Sequence, residues 1–256
     1  RRYIFFRFFV RFFEKKSAQA VDLVVVCSKD LKKRVEKGYN IESHKVYAMF
    51  HGFEIMNSTF QPRAQPFEKP VRLLFIKSNL RRGAMDIFSK ALAQLMDYQF
   101  ILTVIGPHIS LKSEIEKMLS DAPNVKLNFI GFADTKAVYQ EMSSHHILCT
   151  PSRDEALGIA NAEGLASGIA VVSTRIGGIP EVLDNGKNGW LAEPEDVEDL
   201  ARTLRECIEA SPSVRMEKSL AGRRFVEKHF DFKKINAALL EKCEELLKND
   251  SGAMKQ

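Results

Sequence analysis

Cysteine is scarce in this chain of 256 residues: there are four, Cys27, Cys149, Cys207 and Cys243, and no pair has metal-ligand spacing. That excludes a disulfide-dense scaffold and a cysteine-based zinc site, and leads us to expect reduced thiols in a cytosolic compartment. Long apolar runs are also missing. The most apolar stretch, Tyr3 to Phe13, is broken by Arg7 and Arg11, whereas a membrane span needs about 20 residues. No small-residue cleavage site follows it, as a signal peptide would require. Charge of one sign is modest: the net value is +5, too mild to point to nucleic acid but suited to an anionic ligand or an acidic membrane surface. Neither a P-loop nor a Gly-x-Gly-x-x-Gly fingerprint is present, so ordinary ATP-binding and dinucleotide readings lack their signatures. An Asp-x-Asp motif and a metal-ligand cluster are likewise not found, and no metal is expected. The chain opens on Arg1-Arg2 rather than Met, so further sequence upstream is expected.

What is present is ordinary globular material, 45% hydrophobic and 28% charged, enough for one or two domains with a sizeable core. Residues 3–19 read as a helix rich in aromatics, with Arg7, Arg11, Glu14 and Lys15 as a polar stripe. Such a helix either packs against protein or lies on a membrane. Val21–Cys27 reads as a buried strand, and Ser28 as the cap of a helix from Asp30 to about Lys37. Val46–Phe50 is a short strand. Residues 54–70 carry Pro62, Pro66 and Pro70 with little periodicity, and a linker is expected there between a segment 1–53 and a domain 71–256.

From Val71 onward strands and helices alternate. Strands are expected at 71–76, 100–105, 125–130, 147–149, 170–173 and 189–192, with helices between them and helices at 197–210, 216–229 and 233–248 after them. Repeated βα units with apolar strands imply an α/β fold with a doubly wound parallel, Rossmann-like sheet. In that architecture ligands bind beyond the carboxyl ends of the strands. The informative loops there are KSNLRRG (77–83), GFAD (131–134) and the stretch 151–163, with TRIGGIPE (174–181) beside it.

The stretch PSRDEALGIANAEGLASG (151–168) organises the domain. Ser152 and Asp154 have the chemistry of helix caps, and Gly158 allows close backbone approach. Two carboxylates, Glu155 and Glu163, are eight positions apart. Each could accept two hydrogen bonds from a vicinal diol, or be a plain capping acid and a surface helix residue. Arg81 and Arg82, with the glycine-led helix starts at Gly158 and Gly177-Gly178, suit a diphosphate; they could equally be solvated charges. His51, His145 and His146 read as structural.

These residues resemble a known family. The 151–168 stretch, followed by VVST, GGIPEV and NGWL, is similar in register to the C-terminal domain of the retaining "group 1" glycosyltransferases of GT-B fold, whose pattern is P-S-x-x-E-x-(F/L)-G-x-x-x-x-E-(A/G)-x-A-x-G. More weakly, AVDLVVVCS (20–28) and HGFE (51–54) resemble the end of that family's N-terminal domain and its hinge. The resemblance implies a C-terminal GT-B half with an N-terminal remnant, transferring a sugar with retention from a nucleotide-diphosphate donor, without metal or cofactor. It places Arg82 on the diphosphate and Glu155 on the sugar hydroxyls as the catalytic pair. Arg81, Leu157, Gly158, Gly177 and Gly178 would border sugar and phosphates, Glu163 the ribose, and Gly131 and Phe132 the base. It implies an unknown acceptor, a cytoplasmic location with peripheral membrane contact as one option, and an acceptor domain or partner chain packing on residues 3–13. Alternatively, the chain is a nucleotide-sugar-binding subunit that lacks catalysis alone. One departure stands out. Where the family reads Lys-Gly, the ungapped match has Gly83-Ala84, so one cation is missing unless Lys77, Arg81 or Arg175 replaces it.

Overall fold

A computed structural model describes residues 2–55 and 59–253, with side chains for 9–55 and 59–248. The chain divides into two compact units, one made of the residues up to Gly52 together with those from Phe232 onward, the other Phe53–Asp231. The first unit holds helix α1 (Arg2–Ala20), strand β1 (Val24–Val26), α2 (Lys29–Tyr39), β2 (Val46–Ala48) and the C-terminal helix α10 (Phe232–Ala253). β1 and β2 pair in parallel, and Val26, Ile41 and Val46 form a small core. Ser28 caps α2 as expected, its hydroxyl accepting from the Leu31 N–H at 3.1 Å. α10, which the family resemblance implies is the C-terminal helix that crosses back to the other domain, clusters with this N-terminal unit.

The second unit is the α/β domain. Its strands are β3 (Val71–Ile76), β4 (Phe100–Ile105), β5 (Val125–Gly131), β6 (Ile147–Thr150), β7 (Ala170–Thr174) and β8 (Trp190–Ala192). They form one parallel sheet in the order β5-β4-β3-β6-β7-β8. Between and after them lie α3 (Met85–Ala93), α4 (Lys112–Met118), α5 (Thr135–Ser144), α6 (Ile159–Ser167), α7 (Ile179–Val182), α8 (Val197–Glu209) and α9 (Pro212–His229). The expected doubly wound sheet is therefore present. Its central strands are mostly apolar because helices cover both faces; Leu73, Leu74, Phe75, Leu102 and Val104 are fully buried. β5 is an edge strand and alternates instead, with Lys126, Asn128 and Ile130 turned outward.

Helix starts follow ordinary capping. Asp134 and Asp196 cap α5 and α8, and Ser211 followed by Pro212 opens α9. The proline-rich segment read as a linker runs along the α/β domain. The Gln61 N–H donates to the Ser167 carbonyl at 2.9 Å and the Arg63 N–H to that of Gly168 at 3.2 Å. Residues 56–58 of that segment, and the side chains of residues 3–8 on the expected aromatic docking helix, lie outside the described residues. No described helix is long and apolar enough to cross a membrane.

Candidate functional site

Strand order fixes where the site lies. Connections from β3 run outward in one direction to β4 and, later, in the other from β6, so the order reverses between β3 and β6. A crevice opens there, beyond the carboxyl ends of the strands. The loop after β3 and the loop after β6 meet across it. Lys77, the first residue past β3, ion-pairs through its ammonium with the Glu155 carboxylate, and both side chains are largely buried. Arg82 lies 3.4 Å from Asp154 and stays more than half exposed. The Arg153 N–H donates to the Arg82 carbonyl at 2.9 Å.

Backbone contact without side chains holds Glu155 in place. Gly177 has φ +55, and a Cβ there would lie 1.7 Å from the Glu155 carbonyl oxygen. The diglycine turn is therefore pressed directly on the Glu155 backbone. Gly158 has φ +87, and its missing Cβ would meet Asn161 at 2.9 Å and Ile179 at 3.1 Å. The Glu155 carboxylate also accepts from the Ala156 N–H at 3.2 Å.

Ser152 and Asp154 do not cap the following helix, contrary to the sequence reading. The N-cap of α6 is Gly158, in the left-handed conformation and without a side-chain cap. Gly158 makes the turn into the helix eight residues past the end of β6. Ser152 is instead buried at 1% exposure, its carbonyl accepting from the Thr174 hydroxyl at 2.7 Å. The first turn of α6 is thus left with N–H groups and a positive dipole end facing the crevice, the usual setting for an anion.

The remaining candidates lie as follows. Arg81 is exposed and its carbonyl accepts from Arg153 at 2.9 Å. Leu157 is buried at 5% exposure. Gly178 opens α7. Gly131 has φ +77, and its carbonyl accepts from the Gly106 N–H at 2.7 Å. That bond and the one from the Lys77 N–H to the Ile105 carbonyl, at 3.0 Å, join the loops after β3, β4 and β5. Phe132 is 88% exposed at the rim. Glu163, on α6, is half-buried, with the Tyr139 hydroxyl 3.5 Å away. Burial raises its pKa, partly offset by that hydroxyl. The same burial, with the Glu163 charge adding to it, raises Tyr139.

Several supporting residues were not singled out from the sequence. Arg153 grips Asp86 at 2.6 and 2.7 Å and also pairs with Glu195. Its hydrogen bonds hold the Asp86 carboxyl below the usual range. Arg153 is therefore committed to acids in two directions, while Arg82 has the more exposed and looser pair, with Asp154 at 3.4 Å. Thr150, Asn161 and Ser173 form a buried polar cluster under α6, the Thr150 hydroxyl donating to Asn161 at 2.6 Å and the Ser173 hydroxyl to the Thr150 carbonyl at 2.7 Å. A buried Asn in a helix of small residues was the available signal. His145 and His146 are buried and hydrogen-bonded away from the crevice, as structural residues would be.

The chain can do the following with this arrangement. A crevice with two cations, an uncapped helix start and acceptor-only carboxylates can hold an anionic group beside a polyhydroxylated one. The glycosyl transferases group 1 family matches residues 57–222. A sulfoquinovosyl transferase of Arabidopsis thaliana is 30% identical over 144 residues, 55% of this chain and 27% of that protein. An alpha-maltose-1-phosphate synthase of Mycolicibacterium smegmatis is 22% identical, over 89% of this chain and 64% of its own. Among solved structures, a glycosyltransferase of Rickettsia africae superposes with TM-score 0.78 at 21% identity, covering 92% of this chain and 67% of that one. The Anabaena protein HepE in complex with UDP and glucose gives TM-score 0.78 at 18% identity, covering 92% and 66%. The chain spans 27–64% of the length of these two curated relatives. With its sheet order, its crevice loops and the match over most of its α/β domain, the chain belongs to the group 1 glycosyltransferases and carries their C-terminal GT-B domain.

Proposed function

We propose that the crevice between β3 and β6 binds a nucleotide-diphosphate sugar and that the chain serves in transferring this sugar, with retention, to an acceptor. The observation that carries the reading is the meeting of Lys77 with Glu155 and of Arg82 with Asp154, beside the uncapped start of α6. In this reading Arg82, with Arg81 beside it, takes the diphosphate, and the Leu157 and Gly158 N–H groups, just ahead of α6, border it. Glu155 orients the sugar hydroxyls, Glu163 the ribose hydroxyls, and Gly131 and Phe132 border the base. Gly177 and Gly178 hold the Glu155 backbone. Charge that develops on the leaving diphosphate is met by fixed cations and a helix dipole, so neither metal nor cofactor is required.

Lys77 replaces the missing cation in this scheme. Ala84 is left-handed at φ 54, a conformation that glycine adopts readily, which favours the ungapped match of Gly83-Ala84 to the family's Lys-Gly. A Cβ at Gly83 would lie 2.9 Å from the Lys77 Cγ and 2.7 Å from Phe75. The space a side chain at 83 would need is thus filled by Lys77, whose ammonium ends on Glu155. Anabaena HepE carries UDP and glucose, which makes UDP the first nucleotide to try.

Titration calorimetry with UDP, GDP and ADP tests the reading. One of them is expected to saturate a single site, and Arg82→Ala and Lys77→Ala are each expected to weaken it about 10- to 150-fold, the loss of one charge-assisted contact. Absence of saturation by any nucleotide diphosphate would overturn it. A second reading, a nucleotide-sugar-binding subunit that works with a partner chain, is favoured by the half-exposed Phe9, Phe12 and Phe13 on the first helix. Turnover measured with and without a supplied acceptor-binding domain separates the two. That domain, or a partner chain, would pack on the aromatic helix, where Phe9, Phe12 and Phe13 are about half exposed. A cytoplasmic place, with the same helix touching a membrane surface, completes the proposal.

A further inference from the structure

We infer that a small cavity between the start of β7 and helix α9 is a built site for a halide-sized inorganic anion. It is lined by Arg63, Asn188, Arg215 and Lys218 with Ile169, Ala170 and Trp190, and no carboxylate is among the described residues of its wall. The cavity has about 10 Å³ of room for the centre of a water-sized particle, enough for about one such group. It sits at the amino-terminal edge of β7, the opposite end of that strand from the Glu155 crevice, and is independent of the proposed donor site.

The charges in this wall are poorly compensated. Arg215 is 4% exposed; its guanidinium lies 4.5 Å from the centre of the Phe67 ring and donates to the Ile208 carbonyl at 3.2 Å. Lys218 donates to the Gly189 carbonyl at 3.0 Å and sits 5.1 Å from the centre of the Trp190 ring. Arg63 is already committed to backbone carbonyls, donating to His145 at 2.9 Å and Gln61 at 3.0 Å and also to Met142 and Ser143, so it adds charge near the cavity rather than a spare donor. Carbonyls and ring faces offer partial charge only, and burial lowers the pKa of all three cations. The acid acting on Lys218 is its neighbour Glu217, which is exposed and off the cavity wall.

Two donors are also left over. Among the described residues, the Arg215 Nε–H and the Asn188 Nδ2 amide have no acceptor, although Asn188 is itself 4% exposed. A buried donor without a partner is costly, and here both such groups belong to residues that line one cavity. A water could accept both hydrogen bonds but would leave three positive charges unbalanced. An anion of that size answers both deficits. Bound there, it would tie α9, through Arg215, to the loop that carries Asn188.

Thermal unfolding at constant ionic strength in sodium gluconate, chloride and bromide tests this, since gluconate is too large to enter. Chloride and bromide are expected to raise Tm saturably by a few degrees over gluconate, as a ligand of the folded state does. Crystals grown in bromide should show an anomalous peak in the cavity. Asn188→Asp supplies a fixed negative charge and should abolish the halide-dependent rise while the protein stays folded; Arg215→Met should abolish it too. Coincident unfolding curves in the three salts would overturn the inference, even with a bromide peak, which would then be an adventitious ion only. So would an Asn188→Asp variant that keeps the full halide response.

Discussion

Glu163 shows how one side chain can be set against its own stability. Its carboxyl is half-buried on α6, with the Tyr139 hydroxyl 3.5 Å away, and burial raises its pKa above the ordinary carboxylate value. The folded state therefore disfavours the ionised form. Above the folded-state pKa the native protein carries that cost; below the unfolded value both states are protonated and the cost disappears. Glu163→Gln is expected to raise Tm at neutral pH, with a gain that shrinks as pH falls through the raised pKa and vanishes below about 4. Thermal unfolding of both proteins between pH 4 and 8 checks it; an equal gain at every pH would mean that the carboxyl charge is not what costs stability. If Glu163 also holds ribose hydroxyls, as proposed, the same variant binds nucleotide more weakly although it is more stable. Gain in stability with loss of affinity is the signature of a residue kept for binding.

At the scale of elements, the crevice depends on loops that touch through backbone. Gly177 and Gly186 make the point, since both are left-handed, at φ +55 and +98. An added Cβ at Gly186 meets nothing nearer than Leu191 at 4.0 Å, whereas at Gly177 it would lie 1.7 Å from the Glu155 carbonyl oxygen. Gly186→Ala is expected to cost backbone strain alone, about 1–2 kcal/mol. Gly177→Ala should cost clearly more and displace the Glu155 loop, so that nucleotide-sugar affinity falls in the same variant; comparing the two by thermal unfolding and calorimetry checks this. Such contacts also mark the limit of what the sequence could show. The alternating apolar strands of 71–192 and the Ser28 cap were legible because they are local patterns. The Glu155 and Glu163 spacing was legible as a motif, yet spacing alone could not tell diol-binding acids from a helix cap and a surface residue. Two features were not legible. Lys77 and Glu155 are 78 positions apart and meet only because the strand order reverses between β3 and β6. Ser152 had cap chemistry but is buried, because Gly158 rather than a polar side chain turns the chain into α6.

For the whole molecule, the acid limb of stability is set by a basic cluster far from the crevice. His146 is stacked on Phe67 with ring centres 5.0 Å apart, accepts from the Arg72 N–H at 3.1 Å, and is 6% exposed. Burial, with Arg72 and Arg63 nearby adding repulsion, lowers its pKa to about 4. Burial lowers His145 as well, although Glu141 pulls the other way. The sign follows from proton counting. Between the unfolded histidine value, about 6.5, and the lowered folded value, the unfolded chain binds protons that the native state refuses, so stability falls as pH falls through that window. The loss from His146 is on the order of a few kcal/mol by pH 4, a large part of the roughly 5–15 kcal/mol typical of a folded protein. His146→Asn, which keeps an acceptor for the Arg72 N–H without a titrating ring, is expected to be somewhat less stable at pH 7 because the Phe67 stack is lost, yet to lose less stability between pH 6.5 and 4. Urea unfolding at several pH values within that window reads the slope directly. A slope unchanged by His146→Asn would move the acid sensitivity to His145, since the Asp86 carboxyl paired with Arg153 has a lowered pKa and acts only below this window.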